Sequence, residues 1–251
     1  MKLSFKLLAA AVGIAAAGAL SAAEVHVAVA ANFTEPAKVL KPMFEKLTGD
    51  TLVLSFSSTG KFYGQIKEGA TYDVLLAADA KTPKKAVAEG YGLASSVFTY
   101  AVGKLVLWSS DEAKIKDGAA LLKSGKFNKC AVANPKLAPY GLAAYETLEK
   151  LNLLDQVKPK FVEGDTIGNT FSFVKTGNAE IGFVALSQVW KNDKLTSGSA
   201  WIVPEDLHNK IAQDAVLLKQ GKNPAGGAAF LKFLKSPEAN AVKASFGYGE
   251  K

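Results

Sequence analysis

The chain predicts an α/β protein of two lobes, each a mostly parallel sheet flanked by helices, with two strands crossing between them. Three observations carry this. Short apolar runs alternate with helical patterns, the order that a parallel sheet with helices on both faces requires. The runs are almost continuously apolar, as strands covered on both faces must be. The alternation falls into two successive blocks, near 24–101 and 104–204. A last strand and its helices have no block of their own and pack most simply back on the first.

The amino terminus stands outside this pattern. Lys2 and Lys6 make a positive start, Leu7 to Leu20 is uncharged and apolar, and Ser21-Ala22-Ala23 offers a small-x-small cleavage site. The apolar run is shorter than the roughly 20 residues a membrane-spanning helix needs. Residues 1–23 therefore read as a secretory signal peptide, with the mature chain starting near Glu24 in the periplasm. No cysteine follows the run, where a lipid-anchored exported protein would carry one.

The elements then follow in order. VHVAVAA (25–31) is a strand and 33–47 a helix; TLVLSFS (51–57) is a strand and 60–68 a helix; DVLLAAD (73–79) is a strand and 82–89 a helix. Residues 97–108 are two β-like runs split by Gly103. A helix near 117–124, strand 129–134, helix 141–151, strand 160–164, helix 168–176, strand 179–185 and helix 186–191 make the second block. AWIVP and IAQDAVLL are further strands, and the tail holds two helices broken at Ser236-Pro237. The expected division is 24–101 plus 206–251 for one lobe and 102–205 for the other, hinged near 100–105 and 204–215. In open α/β sheets ligands sit at the carboxyl ends of the strands, so two lobes facing that way share one cleft.

Composition narrows the chemistry. Of 251 residues 49% are hydrophobic, enough for a real core. Net charge is +7, and all 30 basic residues are lysine. Nucleic-acid readers and phosphate clamps lean on arginine's bidentate fork, so its absence, with the lysines scattered, argues against a nucleic-acid partner. Cys130 is the single cysteine, in an apolar run, and reads as a buried small hydrophobe. His26 and His208 lie far apart, so no protein-ligated metal and no cofactor are expected.

Four strand-to-helix junctions share a design: AVAANFTEP (28–36), SFSSTGKF (55–62), NPKLAPYGLAAY (134–145) and VEGDTIGNTF (162–171). Each ends an apolar strand, offers hydroxyl, amide or glycine residues, and opens a helix. The free N–H groups of a first helical turn carry part of the helix dipole and bind anions without a full positive charge. One such cap is ordinary structure. Four of them facing one cleft make an oxyanion site of neutral donors.

These residues closely resemble the periplasmic molybdate-binding protein (ModA) family of molybdate ABC importers. The likeness rests on VAVAANFTEPAKVLKPMFEKLTGD, LSFSSTGKFYGQIKEGATYDVLLAAD, VANPKLAPYGLAAYETLEKL and EIGFVALSQV, in order and spacing, over essentially the whole mature chain. It implies a type II periplasmic binding protein fold and a receptor, without enzymatic activity, that holds molybdate or tungstate between its lobes and hands it to a membrane permease. It is expected to act as a monomer. By position, the family's contacts fall on Asn32 with the backbone of Ala31, on Thr59 with Ser58 beside it, on the N–H of Ala78, and on backbone donors at Tyr140 and Ile167. Many members have serine where Asn32 stands. Some place a tyrosine hydroxyl after the EIGFV strand, where Ala185 stands here; Tyr140 is the candidate to replace it.

The donors favour a fully deprotonated dianion over hydrogen phosphate, which needs an acceptor for its proton; Asp79 and Asp165 read as caps or hinge partners. A receptor for another oxyanion such as sulfate is the alternative. More remote is a serine acyl-transfer enzyme using Ser58 and Lys61, since STGK (58–61) fits S-x-x-K and KTG stands at 175–177, although no S-D-N-type box lies between them.

Overall fold

The computed structural model describes residues 22–249; the expected signal peptide, apart from its last two positions, lies outside the described residues. The chain begins with β1 (Glu24–Ala30), a single 3-10 turn (Ala31–Phe33) and α1 (Thr34–Thr48). It continues through β2 (Thr51–Ser57), α2 (Thr59–Lys67), β3 (Val74–Leu76), α3 (Lys81–Ala88) and β4 (Phe98–Gly103). The second half-molecule holds β5 (Leu105–Ser109), α4 (Gly118–Ser124), β6 (Cys130–Ala133), α5 (Pro139–Lys150), α6 (Leu154–Val157), β7 (Phe161–Gly164), α7 (Ile167–Lys175) and β8 (Ile181–Ala185). After it come β9 (Trp190–Lys191), β10 (Lys194–Leu195), β11 (Ser199–Ile202), β12 (Ile211–Leu217), α8 (Pro224–Phe233) and α9 (Pro237–Ser245).

Two five-stranded sheets result, in the orders β2-β1-β3-β12-β4 and β11-β5-β8-β6-β7. Each holds one reversed strand, β12 in the first and β5 in the second; the other four run one way. Lys104 alone separates β4 from β5, so the chain passes from one sheet to the other in a single residue. It returns between β11 and β12, and β12 inserts beside β3 in the first sheet. The tail helices then pack on that sheet, where Phe230 and Phe233 meet Phe44 of α1 at ring distances of 5.3 and 5.8 Å.

Local chemistry starts the helices where the sequence reading expects. Ser58, Asp117, Thr166, Asn223 and Ser236 each accept a first-turn N–H with their side chains, and Pro224 and Pro237 take the first helical position. One expectation is overturned. The helix read over 186–191 is only a 3-10 turn (Leu186–Gln188), after which β9 and β10 form a hairpin. Asn192 and Asp193 sit at φ of 50° and 59°, the left-handed pair that a tight hairpin turn demands and that Asn and Asp tolerate best among ordinary residues. The short α6 is an element the apolar pattern does not signal, being a single turn.

One core, around Val27, Val29, Phe33, Phe44 and Phe230, lies under the first sheet; another, around Leu107, Val132, Phe183 and Leu148, lies under the second. Ala30 and Ala78, at the carboxyl ends of first-sheet strands, pack into the second core. The two hydrophobic interiors therefore meet at the strand ends. Cys130 is fully buried in β6, and burial pushes its thiol up to about 12. A thiol reagent at pH 8 should leave the native protein unlabelled and label it fully in denaturant; stoichiometric labelling of the native protein would contradict this burial.

Candidate functional site

Where the interiors meet lies a pocket with about 200 Å³ of empty space, lined by Ala30, Ala31, Asn32, Ser58, Thr59, Ala78, Ala138, Pro139, Tyr140 and Ile167. That space includes open solvent at the mouth; the enclosed part is about 10 Å³, the room of a single water molecule. All seven sequence-predicted site residues line it. They come from all four strand-to-helix junctions and from the end of β3.

Each junction presents a helix start. Ala31 and Asn32 open the 3-10 turn after β1; Thr59 is the first residue of α2; Tyr140 is the second of α5; Ile167 is the first of α7. First-turn N–H groups have no partner within their own helix and point out of its end. The wall carries no ionised side chain. Among the described residues there is no group of three or more His, Cys, Asp or Glu able to hold a metal.

The individual donors are arranged more finely than position alone suggests. The N–H of Ala78 does not point into the pocket unengaged: it donates to Thr59 Oγ1 at 2.9 Å. That bond uses a lone pair of the hydroxyl and leaves its proton for an acceptor elsewhere. Ser58 Oγ accepts the N–H of Lys61 as the cap of α2, again keeping its own proton to give. The expectation that the Tyr140 hydroxyl serves the pocket meets a different geometry. That hydroxyl accepts from Gln213 Nε2 at 3.0 Å in the buried hinge, leaving Tyr140's main chain for the pocket.

Behind Asn32 stands a polar network that motif reading passed over. Asn32 Nδ2 donates to Gln213 Oε1 and to the Tyr248 hydroxyl, both at 2.8 Å. Tyr100 donates to Gln213 Oε1 and to the carbonyl of Ala77, both at 3.1 Å. The Asn32 carbonyl accepts from Ser187 at 2.7 Å and from Tyr248 at 3.0 Å. Gln213 is a polar residue inside the apolar run of β12, and that break in pattern is the signal that could have found it. The β4–β12 ladder slips at this point, pairing Gln213 with Ala101 and Asp214 with Thr99, so that Tyr100 is the extra residue of a bulge. Phe33 packs edge-on against Tyr100 and Tyr248 at 5.0 and 5.4 Å, giving the network an apolar floor.

Contacts between the lobes rim the pocket. Gly60 donates its N–H to the carbonyl of Leu137 at 3.0 Å, and Lys61 meets Asp165 at 2.6 Å. Asp79 caps the start of α3 by accepting from the N–H and hydroxyl of Thr82. Burial raises its carboxyl pKa despite those bonds, with Asp214 adding a smaller push. The acyl-transfer arrangement is not assembled: the Lys61 ammonium is tied to Asp165, and Lys175-Thr176-Gly177 lie at the far end of α7, about 12 Å of helix from the pocket.

Burial raises the pKa of Tyr100, Tyr140 and Tyr248 above the ordinary tyrosine value, so all three remain protonated at neutral pH. A raised acid pKa in the folded state means that, above about pH 10, the unfolded chain releases protons the folded chain retains. Stability should therefore be flat through neutrality and fall as pH climbs past 10. Spectrophotometric titration should show these three phenolates appearing only with unfolding; their smooth ionisation in the native protein would refute the network's burial.

A model of the bacterial extracellular solute-binding protein family matches residues 25–249. The molybdate-binding protein ModA of Azotobacter vinelandii is 53% identical over 92% of this chain and 92% of its own length. ModA of Rhodobacter capsulatus is 50% identical over 91% of this chain and 89% of its own. Among solved structures, a periplasmic molybdate-binding protein of Azotobacter vinelandii superposes with a TM-score of 0.88 at 36% identity, over 90% of this chain and 99% of that one.

Proposed function

The chain belongs to the bacterial extracellular solute-binding proteins, in their molybdate-binding branch, and we propose that it is the receptor that captures molybdate between its lobes and delivers it to an ABC importer. The observation that carries this reading is the convergence of four helix starts, two from each lobe, on a pocket with no ionised wall. An anion stripped of water needs donors to replace its hydration, and neutral N–H and O–H groups supply them without a competing proton equilibrium. Hydrogen bonds to a charged group contribute roughly 1.5–3 kcal/mol each, so about six support sub-micromolar affinity after the cost of association.

In this reading the donors are the main-chain N–H groups at Ala31, Tyr140 and Ile167, the hydroxyls of Ser58 and Thr59, and the amide of Asn32. Ala78 acts by aiming Thr59. The guest is a fully deprotonated tetrahedral dianion, because no carboxylate lines the wall to accept a proton from hydrogen phosphate; Asp79 and Asp165 are engaged elsewhere. Tungstate, of the same chemistry, is the second expected guest. The protein works in the periplasm as a monomer, binds without turnover, and presents its closed form to the permease.

The lobes, taken as 24–101 with 206–251 and 102–205, hinge at the two crossings near 100–105 and 204–215, and the Gly60–Leu137 and Lys61–Asp165 contacts form on closure. The ion pair is exposed and contributes at most about 1 kcal/mol. Gly60 matters by fit, because a Cβ there would stand 3.1 Å from both the Cα and the carbonyl oxygen of Leu137.

Calorimetry with molybdate, tungstate, sulfate and phosphate side by side should give tight binding for the first two and weak or no binding for phosphate, unchanged between about pH 6 and 9. A protein indifferent to molybdate, or one preferring phosphate, would end this reading. Gly60→Ala should weaken molybdate about tenfold, or roughly 1.4 kcal/mol, while leaving the melting temperature of the unliganded protein nearly unchanged. Equal affinity in this variant would show that closure does not bring Gly60 against Leu137.

A further inference from the structure

Asn32 lines the pocket, is buried, and is turned the wrong way for an anion. Its Nδ2 faces Gln213 and Tyr248, while its Oδ1 has no hydrogen-bond partner. A carbonyl oxygen is an acceptor only and repels an oxyanion; the NH2 end carries two donors. Rotating the amide by half a turn exchanges the two ends, but the oxygen then faces Gln213 Oε1, another acceptor. Asn32 cannot turn unless Gln213 turns too.

We propose that Gln213 is a positioning residue for the anion: its amide rotates together with that of Asn32, so that Asn32 offers Nδ2 to the guest while Gln213 Nε2 holds Asn32 Oδ1. This rests on the oxyanion-receptor reading above and extends it to a residue that does not line the pocket. After the exchange every neighbour keeps a partner. Gln213 Oε1 receives the Tyr140 hydroxyl proton, which reverses the present bond in which Gln213 Nε2 donates to Tyr140. Tyr100 keeps its bond to the Ala77 carbonyl and offers a lone pair to Gln213 Nε2 in place of its proton. Tyr248, which now accepts from Asn32 Nδ2, turns its proton from the Asn32 main-chain carbonyl to Asn32 Oδ1, and Ser187 keeps that carbonyl.

Only side chains able both to give and to receive permit such a reversal, and all the side chains facing Gln213 here are hydroxyls or an amide. Space for it is built in. Gly103 lies against the pair, where a Cβ would come within 2.0 Å of the Tyr140 hydroxyl and 2.5 Å of Gln213 Nε2. Gln213 sits on β12, at the return crossing between the lobes, whereas Tyr140 belongs to the helix that faces the pocket from the second lobe. The relay thus joins a donor on the first lobe to the start of a helix on the second.

The test uses the full mature chain and molybdate. Side-chain NH2 resonances of Asn32 and Gln213, each assigned through its own backbone spin system, should both move on saturation, Gln213 doing so although it does not line the pocket. Gln213→Leu should weaken molybdate roughly tenfold in the native background and cause no further loss in an Asn32→Ala background, because Gln213 acts through Asn32. Unmoved Gln213 signals, or losses that simply add in the double variant, would overturn the inference while leaving the receptor reading intact. Failure of the unmutated chain to bind molybdate would overturn that reading, and this inference with it. If Gln213→Leu does not fold, the resonances of the unmutated protein decide alone.

Discussion

Removing a small doubly charged ion from water is the constraint to which the rest of this structure answers. A buried charge is tolerated only where fixed dipoles replace the solvent it has lost. Lysine would supply attraction, but as a point charge on a flexible stem it brings no fixed geometry. In the proposed reading the ends of helices do this instead. A parallel arrangement puts every such end on one edge of a sheet, and two sheets set edge to edge supply dipoles from both sides. The layout of the fold and the composition of the pocket follow from the same need.

Precision is added by hydrogen bonds that aim the donors. The Ala78 N–H fixes the Thr59 hydroxyl, the Ser58 cap fixes the start of α2, and Thr166 caps α7 beside Ile167. Each is a hydrogen bond of ordinary strength, and together they hold the starts of α2 and α7 and the Thr59 hydroxyl in place. The aromatic floor of Phe33, Tyr100 and Tyr248 lies buried beside Asn32 and fixes where its side chain sits, while the hydrogen bonds around it set which end of the amide faces the pocket.

The order of strands and helices was legible because the apolar runs and the caps are local signals, and so was the set of residues gathered at the strand ends. What escaped was non-local or stereochemical. The hairpin at 190–195 depends on two residues in left-handed conformation, and the apolar spacing around them fits a helix equally well. Tyr140 was expected as a backbone donor whose hydroxyl was also a candidate for the pocket; the partner of that hydroxyl, Gln213, lies 73 positions away and draws it to the hinge. Asn32 was expected as a donor, but the partners that orient it lie 181 and 216 positions along the chain. Side-chain networks of that span have no periodicity to betray them.

The place of β12 in the first sheet has a consequence for how the molecule is made. This strand separates β3 from β4, so the amino-terminal sheet cannot be completed until residue 217 has been synthesised, and Tyr248 adds its hydroxyl later still. A nascent chain therefore remains without a finished amino-terminal half for almost the whole of translation. The delay in folding is written into strand order.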